Sequence, residues 1–306
     1  MAAACPACCS PNANGSYRVP DHEYGVGHVA DYTRCADCGT LFQQPMPAAN
    51  ELAAYYPARY HSFTAKGLIP ALKHRRRLKR LASLVQTPRA VVLDYGCGDG
   101  GFIREAAARA NGWSFWGFEI ADEHETIRSG DGKVTIVRGD PADLFRALPP
   151  CDLVTMNHVI EHLPNPLTIL TTLNQRLRDG GVLEGQTPAA DSLERRVFGS
   201  AWSGFHAPRH TVIFSRLGLT KILQRAQFVK ARVTPAFNPA GIAVSLASMT
   251  HGARGGIIRR EGAAWLTYLA AATALYPIDW LSGSPGIVNY AAIKAAASAD
   301  GDLPAR

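Results

Sequence analysis

Three features that would place a chain outside the cell, across a bilayer or on nucleic acid are missing from this sequence. It begins without the basic segment and apolar core of a secretory signal, so we expect a reducing, cytoplasmic setting. An uncharged apolar run at 263–278 is shorter than the roughly 20 residues that a spanning helix needs. The basic run at 73–80 contains no interleaved aromatic residues, which disfavours a nucleic-acid-binding surface.

What the sequence does contain is typical of a soluble globular enzyme. Its 306 residues, 47% hydrophobic and 19% charged, allow one large domain and a small one. A net charge of +7 and a pI near 9.1 fit an anionic partner such as a nucleotide sugar, a nucleic acid or a membrane surface. Part of that charge lies in the run KHRRRLKR at 73–80, which we interpret as a solvated face of a helix over 68–85.

The segment VVLDYGCGDGGFI at 91–103 predicts a buried strand, a glycine loop and the start of a helix. Asp94 closes the strand, and the glycines that follow allow close approach of a ligand and positive φ angles. Gly96, Gly98 and Gly101 also fit the G-x-G-x-x-G pattern of dinucleotide enzymes, which is weak by itself. A NAD(P)-dependent dehydrogenase therefore stays an alternative.

The arrangement D-x-G-x-G-x-G from Asp94 resembles the first motif of class I S-adenosylmethionine (SAM)-dependent methyltransferases, and NHVIEHLPNP at 157–166 resembles their fourth-strand motif. The resemblance implies SAM as cofactor, with the loop against its methionine part, and a carboxylate suits a cationic cofactor better than a pyrophosphate. The expected cofactor contacts are Tyr56, Asp94, Tyr95, Gly96, Gly98, Gly100, Phe102, Glu119, Ile120, Asp140, Pro141, Asn157 and His158.

Strands and helices alternate after the glycine loop, which predicts an α/β, Rossmann-like, doubly wound, mostly parallel sheet over 89–306. Seven strands are predicted. The first precedes the glycine loop, and the other six lie at 114–120, 134–139, 151–159, 182–186, 231–237 and 287–294, the last two antiparallel to each other. Glu119 is placed to accept hydrogen bonds from the ribose hydroxyls of the cofactor. By resemblance Asp140 accepts from the adenine amino group, although it could instead cap the next helix.

Two C-x-x-C pairs, Cys5/Cys8 and Cys35/Cys38, predict a zinc ribbon over 1–45. Four thiolates around one zinc form a closed structural site, whereas two disulfides or free thiols are the alternative. Cys9 adjoins the first pair and is left out of the predicted site. A zinc ribbon beside the basic run also keeps open a third class of protein, one that binds nucleic acid or modifies RNA.

The segment at 34–60 resembles the leader of a bacterial methyltransferase group that combines a zinc ribbon with a tyrosine-rich helix. Members of that group occur in sugar, surface-polysaccharide and natural-product pathways, so the resemblance implies a small-molecule or sugar-like acceptor with O-methylation favoured over N or C. The leader at 46–88 would act as a lid. Tyr55, Tyr56 and Tyr60 would cover the cofactor pocket, or only pack.

The segment at 202–228 resembles the same group and is expected to lie over the ends of the strands, where the acceptor enters. Its predicted substrate contacts are Trp202, His206, Arg209 and His210. An imidazole that titrates near neutral pH can take the proton of a hydroxyl, so the candidate catalytic residues are His158, His210, His162 and Glu161. Structural roles for these histidines stay open.

Two further questions stay open at this point. His158, Glu161 and His162 fit the H-x-x-E-H pattern of metalloproteases, but the prolines that follow exclude the long helix that pattern needs; a divalent metal there is left undecided. An insertion at about 238–286 contains the apolar run, and Arg254, Arg259 and Arg260 flank that run. It could be a lid, a homodimer interface or a peripheral membrane contact.

Overall fold

The N-terminal sheet is built from short strands around the cysteine pairs. The structure, a computed structural model, describes residues 4–25, 27–56, 68–85, 87–121, 124–251, 258, 260 and 262–296. Strands β1 (Ala13–Pro20), β2 (Val29–Cys35) and β3 (Leu41–Gln43) pair antiparallel in that order. Helix α1 (Ala49–Leu52) follows, and helix α2 (Leu68–Leu84) leads into the second sheet as the sequence predicts. Tyr60 lies outside the described residues.

Within the described residues the second sheet has eight strands, so the prediction of seven was wrong. Its strands are β4 (Val91–Tyr95), β5 (Ser114–Ile120), β6 (Glu125–Arg128), β7 (Val134–Gly139), β8 (Cys151–Asn157), β9 (Leu177–Pro188), β11 (Phe228–Pro235) and β12 (Ile287–Lys294). They lie in the order β11-β12-β9-β8-β4-β5-β7-β6. The missed strand, β6, is an antiparallel edge strand that is mostly exposed, and an edge strand needs no apolar run.

The centre of this sheet is parallel, which brings the carboxyl ends of its strands to one edge. β4 pairs in parallel with β5 and β8, β5 with β7, and β8 with β9. β12 pairs antiparallel with both β9 and β11, as predicted for the last two strands. The order reverses direction at β4, where β8 lies on one side and β5 on the other. An open α/β sheet binds its ligand at such a switch point.

Helices cover the sheet and connect its strands. They are α3 (Gly101–Ala107), α4 (Pro141–Ala147), α5 (Pro166–Arg176), α6 (Leu193–Phe198), α7 (Arg216–Arg225), α8 (Pro239–His251) and α9 (Gly262–Leu281). Ser215 caps α7 by accepting from the backbone N–H of Gly218, as predicted. A two-residue strand, β10 (Val212–Ile213), pairs with β3 and so joins the N-terminal sheet.

The predicted insertion is an α8–α9 hairpin. In the part of the chain that the structure describes, no helix is both long and apolar enough to cross a membrane. Helix α9 nevertheless exposes large apolar side chains, including Leu266 (65% exposed) and Leu281 (84% exposed). Arg254 and Arg259 lie outside the described residues. Whether this face is a lid, a dimer interface or a membrane contact stays a prediction.

Candidate active site

The glycine loop connects β4 to α3 at the switch point of the sheet. Gly96 (φ 82°), Gly98 (φ 58°) and Gly100 (φ 77°) all have positive φ. A Cβ atom on Gly96 would lie 2.3 Å from Cγ2 of Val159, so this position requires glycine on two independent grounds. The backbone N–H of Gly98 donates to Oε2 of Glu119 at 2.6 Å. The loop is therefore fixed against the end of the neighbouring strand.

Asp94 ends β4 as a buried carboxylate paired with an arginine from α2. Nη2 of Arg77 donates to Oδ1 of Asp94 at 2.6 Å and to Oγ1 of Thr155 at 3.0 Å. The guanidinium also lies 3.9 Å from the centre of the Phe102 ring. Burial raises the pKa of Asp94 above its ordinary value, and the Arg77 charge opposes that rise.

A second arginine of α2 holds a second buried carboxylate. Arg80 pairs with Glu184 of β9 at 2.5 Å, and Thr155 donates to the other oxygen of Glu184 at 2.5 Å. Burial raises the pKa of Glu184, whereas Arg80 lowers it. The interpretation of 73–80 as a solvated face was thus wrong for Arg77 and Arg80, which turn toward the sheet because their partners are buried there. Arg75 and Arg76 are exposed, as expected.

The expected adenosine side of the site lies at the ends of β5 and β7. Glu119 is largely buried, and burial raises its pKa. Asp140 caps α4 by accepting from the N–H of Ala142 at 2.6 Å, which is the alternative role considered for it; its adenine contact stays a prediction. Ile120 is 69% exposed and Pro141 half-buried, whereas Tyr95 is buried against Phe118 and Phe145, away from solvent.

The residues after β8 form a short 3-10 turn at 160–162. His158 has φ 55°, exposes 44% of its side chain, and places Nδ1 3.3 Å from Oε1 of Glu161. Glu161 is completely buried and accepts from Thr187 at 3.0 Å. Although burial alone would raise it, the His158 hydrogen bond and charge hold the pKa of Glu161 below its ordinary value. Nδ1 of His162 lies 2.9 Å from the Tyr56 hydroxyl. His158 is the most accessible of the candidate bases.

The segment 202–210, called the acceptor loop from here, lies against the end of β8. The ring of His210 is 4.6 Å from that of His162 and 5.0 Å from that of His206. Nδ1 of His210 donates to the carbonyl oxygen of Gly204 at 2.8 Å, and its Nε2 lies 3.9 Å from Oε1 of Glu161. Burial lowers the pKa of His162 to about 4 and that of His210 well below 6.5, so both rings are neutral at pH 7.

Arg209 and Trp202 are the most deeply buried of the four predicted substrate contacts. Arg209 has an exposed fraction of 0%, and its Nη2 donates to Oδ2 of Asp21 at 2.8 Å. Its charge is therefore neutralised inside the protein. Trp202 is also buried, with its ring 5.5 Å from that of Phe205. Both predictions came from residue type and from the resemblance of 202–228 to the methyltransferase group, and neither shows that the chain folds back over these side chains.

The comparison with known proteins agrees with this geometry. A family model described as a methyltransferase domain matches residues 68–233, more than half of the 306 residues. The chain belongs to this methyltransferase domain family. The match spans α2, the glycine loop, the end of β8 and the acceptor loop, so the residues just described lie within the methyltransferase domain.

The curated relatives that the chain matches are named as methyltransferases of different kinds. A ubiquinone biosynthesis O-methyltransferase of Xanthomonas campestris is 35% identical over 127 residues, 38% of this chain and 52% of the relative. A trans-aconitate 2-methyltransferase of Deinococcus radiodurans is 29% identical over 133 residues, 44% of this chain and 49% of the relative. The chain thus spans about half the length of the curated relatives it matches.

Solved structures include a SAM-dependent methyltransferase from Archaeoglobus fulgidus. It is 18% identical, covers 73% of this chain and 94% of its own, and has a TM-score of 0.46.

Outside the methyltransferase domain, the four predicted zinc ligands come together. Sγ of Cys5 lies 3.6 Å from Sγ of Cys38, Sγ of Cys8 lies 3.6 Å from Sγ of Cys35, and all four sulfurs lie within 4.8 Å of one another. None of the four cysteines forms a disulfide. Sulfurs bound tetrahedrally to zinc at about 2.3 Å are roughly 3.8 Å apart. The cluster therefore fits a zinc ion.

Sequence reasoning missed the charged residues that fix the site residues through ion pairs and hydrogen bonds. Arg77 and Arg80 share a helix face with Leu81, which is completely buried, and this spacing is the signal that could have placed them inward. No comparable signal exists for Asp21 and Glu23. They lie in the turn after β1 and contact the acceptor loop across more than 180 residues of sequence.

Proposed function

We propose that the protein is a SAM-dependent methyltransferase that transfers a methyl group to a small-molecule acceptor, with a hydroxyl oxygen as the favoured site. The observation that carries this proposal is the placement of Asp94, the glycine loop and Glu119 at the switch point of a methyltransferase domain. When bound there, SAM supplies a methyl group that its sulfonium already activates. The residues of the chain then have to bind SAM and the acceptor, orient the two molecules, and take the proton from the acceptor hydroxyl.

The charges around the loop support a zwitterionic, cationic cofactor over a dinucleotide. Asp94 is a buried acid before the glycines and Glu119 is a half-buried acid beside them, and the backbone N–H of Gly98, a group that could bind a phosphate, already donates to Glu119. A pyrophosphate would be repelled by the Glu119 carboxylate, whereas a cationic cofactor would not be, and its ribose diol would donate to Glu119; the charge of Asp94 is already paired with Arg77.

A neutral acceptor fits the acceptor loop better than an anionic one. The fixed cation of the loop, Arg209, is buried and paired with Asp21, so it offers no charge to a carboxylate. His158 is the favoured base, because it is the exposed imidazole beside Glu161, whereas His210 is buried and its low pKa makes it a weak base. A hydroxyl of a sugar-like or aromatic compound is accordingly the favoured acceptor group.

Calorimetry tests the cofactor assignment directly. S-adenosylhomocysteine (SAH) should bind the protein in the micromolar range and NAD should not, and Asp94→Asn should abolish SAH binding. Methyl transfer from methyl-labelled SAM is then measured on a panel of hydroxyl compounds, with tricarballylate as the anionic comparison. Tight NAD binding without SAH binding would contradict the proposal. Preferential methylation of tricarballylate would contradict the acceptor class.

We also propose that Cys5, Cys8, Cys35 and Cys38 hold one structural zinc ion. The support is the convergence of the four sulfurs and the absence of an open coordination position in a four-thiolate site. The ion would fix the end of the N-terminal sheet where β2 finishes and would take no part in methyl transfer. Elemental analysis should find about one zinc per chain, and replacement of Cys38 by serine should lower it. The exposed neighbour Cys9 provides the control variant, since Cys9→Ser should leave the zinc content unchanged.

A further inference from the structure

The α8–α9 hairpin lies at the same edge of the second sheet as the glycine loop. The hairpin connects the end of β11 to the start of β12, and Ile287 at that start lies opposite Pro188 at the end of β9. β9 is parallel to the central strands, so this is the carboxyl edge of the sheet. Helix α8 contacts the acceptor loop, since Oγ of Ser245 accepts from the backbone N–H of Ser203 at 2.9 Å.

One side of α9 is fixed to the domain. Ala272 and Tyr276 pack against Ile242 of α8. The Tyr276 hydroxyl donates to the carbonyl oxygen of Ala236 at 3.2 Å, and Asp279, three residues further along the helix, is buried. Residues three or four apart lie on one stripe of a helix, so α9 is anchored along this stripe. The position of α9 on the surface is therefore set by packing.

The other side of α9, called its outer face from here, is exposed and carries no charge. Fourteen of the 20 residues of α9 are exposed, and at about 100° per residue they cover more than half of the helix circumference. Asp279, the single charged residue of α9, belongs to the buried stripe. The large apolar side chains of the outer face are Leu266, Leu275, Ile278, Trp280 and Leu281. A surface helix ordinarily carries polar residues on its outer side, so this face requires an apolar partner.

The width of the outer face favours lipid over a second protein helix as that partner. A helix that packs against another buries an apolar stripe about 100° wide, whereas the outer face spans more than half a turn of the circumference. Acyl chains contact the whole of such a face at once. Trp280 lies near the end of α9, and tryptophan combines an apolar ring with a polar N–H, which suits a boundary between membrane and water.

The charge of α2 indicates the kind of lipid. Helix α2 runs from Asp94, at the end of β4, towards Ala90, which precedes that strand. Its first half therefore lies near the carboxyl edge. Lys73, Arg75 and Arg76 in that half are exposed, and none of them forms an ion pair with a residue that the structure describes. An anionic surface attracts these cations, whereas a second copy of the chain brings the same charges and a further net charge of +7.

We propose that the outer face of α9 binds the surface of an anionic lipid bilayer. Its apolar side chains enter the boundary between headgroups and acyl chains, and the cations of α2 are attracted by the headgroups. Because the hairpin lies at the carboxyl edge and contacts the acceptor loop through α8, the bound protein presents its acceptor side to the bilayer. This inference goes beyond the proposed function and does not depend on methyl transfer.

Sedimentation with lipid vesicles tests the proposal on the zinc-loaded protein. The protein should sediment with phosphatidylcholine vesicles that contain about one third phosphatidylglycerol, and much less with phosphatidylcholine alone. Leu266→Glu should lower the partition coefficient about tenfold or more, because it places a charge on the outer face. Leu217→Glu on α7 is the matched control and should bind as the unchanged protein does, since Leu217 is 51% exposed where Leu266 is 65% exposed. Both variants change exposed residues, so their thermal unfolding should match that of the unchanged protein.

A second pair of variants isolates the contribution of charge. Arg76→Gln should lower binding to the anionic vesicles about fivefold and leave binding to neutral vesicles unchanged. Arg128→Gln removes an exposed arginine from β6, at the opposite end of the sheet from the hairpin, and should change neither. Equal binding of the unchanged protein to both kinds of vesicle would overturn the choice of an anionic surface.

Fluorescence quenching shows which part of the chain meets the lipid. Brominated lipid in the vesicles should quench tryptophan fluorescence, and Trp280→Phe should remove most of that quenching. Light scattering without vesicles should give the mass of a monomer, 32.9 kDa. A protein that sediments with neither kind of vesicle overturns the proposal. If such a protein also formed a dimer that Leu266→Glu dissociates, the outer face would belong to an interface between two copies.

Discussion

Replacing Arg77 by methionine should expose how much the domain depends on one buried ion pair. The change removes the 2.6 Å contact to Asp94, whose side chain is 4% exposed, and leaves that carboxylate without its cation. Breaking a buried pair from one side costs about 3–5 kcal/mol. Because Arg77 itself is 21% exposed, we expect the lower end, about 3 kcal/mol of unfolding free energy. Denaturant unfolding at pH 7 measures it.

A second substitution separates charge from packing. Asp94→Asn removes the uncompensated charge, so the double variant Arg77→Met/Asp94→Asn should regain most of the loss, with a coupling energy of about 2 kcal/mol. Arg76→Met, an exposed neighbour on the same helix, should stay within about 0.5 kcal/mol of the unchanged protein. Additive effects of the two single substitutions would refute the reasoning.

The pH dependence of the single variant gives an independent check. Without Arg77, burial acts on Asp94 with only the weaker His74 charge opposing it, and it raises the folded-state pKa further above the ordinary value of 3.8. A carboxyl group whose pKa is higher in the folded state than in the unfolded state stabilises the fold at pH values below its unfolded-state pKa. That contribution is lost as the pH rises through the folded-state pKa. The stability gap between Arg77→Met and the unchanged protein should therefore widen from pH 5 to pH 8. A constant gap would indicate that Asp94 is not the group responsible.

Three further predictions follow from the same contacts. Burial beside Asp279 raises the pKa of Glu194 to about 8, so stability should fall between pH 4.5 and 8, and Glu194→Gln should flatten that fall in thermal unfolding at several pH values. Gly96→Ala should abolish SAH binding in calorimetry because its Cβ would meet Val159 at 2.3 Å, whereas Gly132→Ala, with positive φ and nothing within 4 Å, should bind normally. Chelation of zinc should increase hydrogen exchange in the acceptor loop as well as around the cysteines, since the N-terminal sheet holds both; unchanged exchange in the loop would contradict that link.

Much of the fold could be predicted because its signals are local. The apolar run before Asp94 and the glycines after it determine a buried strand and a turn within a dozen residues, and the cysteine spacing brings two pairs of thiols together through short turns. Strand β6 was not predicted because an exposed edge strand has no apolar pattern. The location of the cofactor loop followed from the same local pattern, since its glycines are needed for backbone conformation.

The sequence by itself determined the methyltransferase motifs, the succession of the core strands along the chain and the set of histidines around the end of β8. Only the tertiary structure decided which charges neutralise each other. Arg209 pairs with Asp21, which is 188 residues away in the sequence. Arg77 in α2 pairs with Asp94 in β4, which is 17 residues away. Sequence distance carries no information about such pairs, because a Coulomb interaction depends on separation in space and on burial. An arginine that looked available to a substrate is thus a structural residue, and an N-terminal turn with no motif holds the acceptor loop.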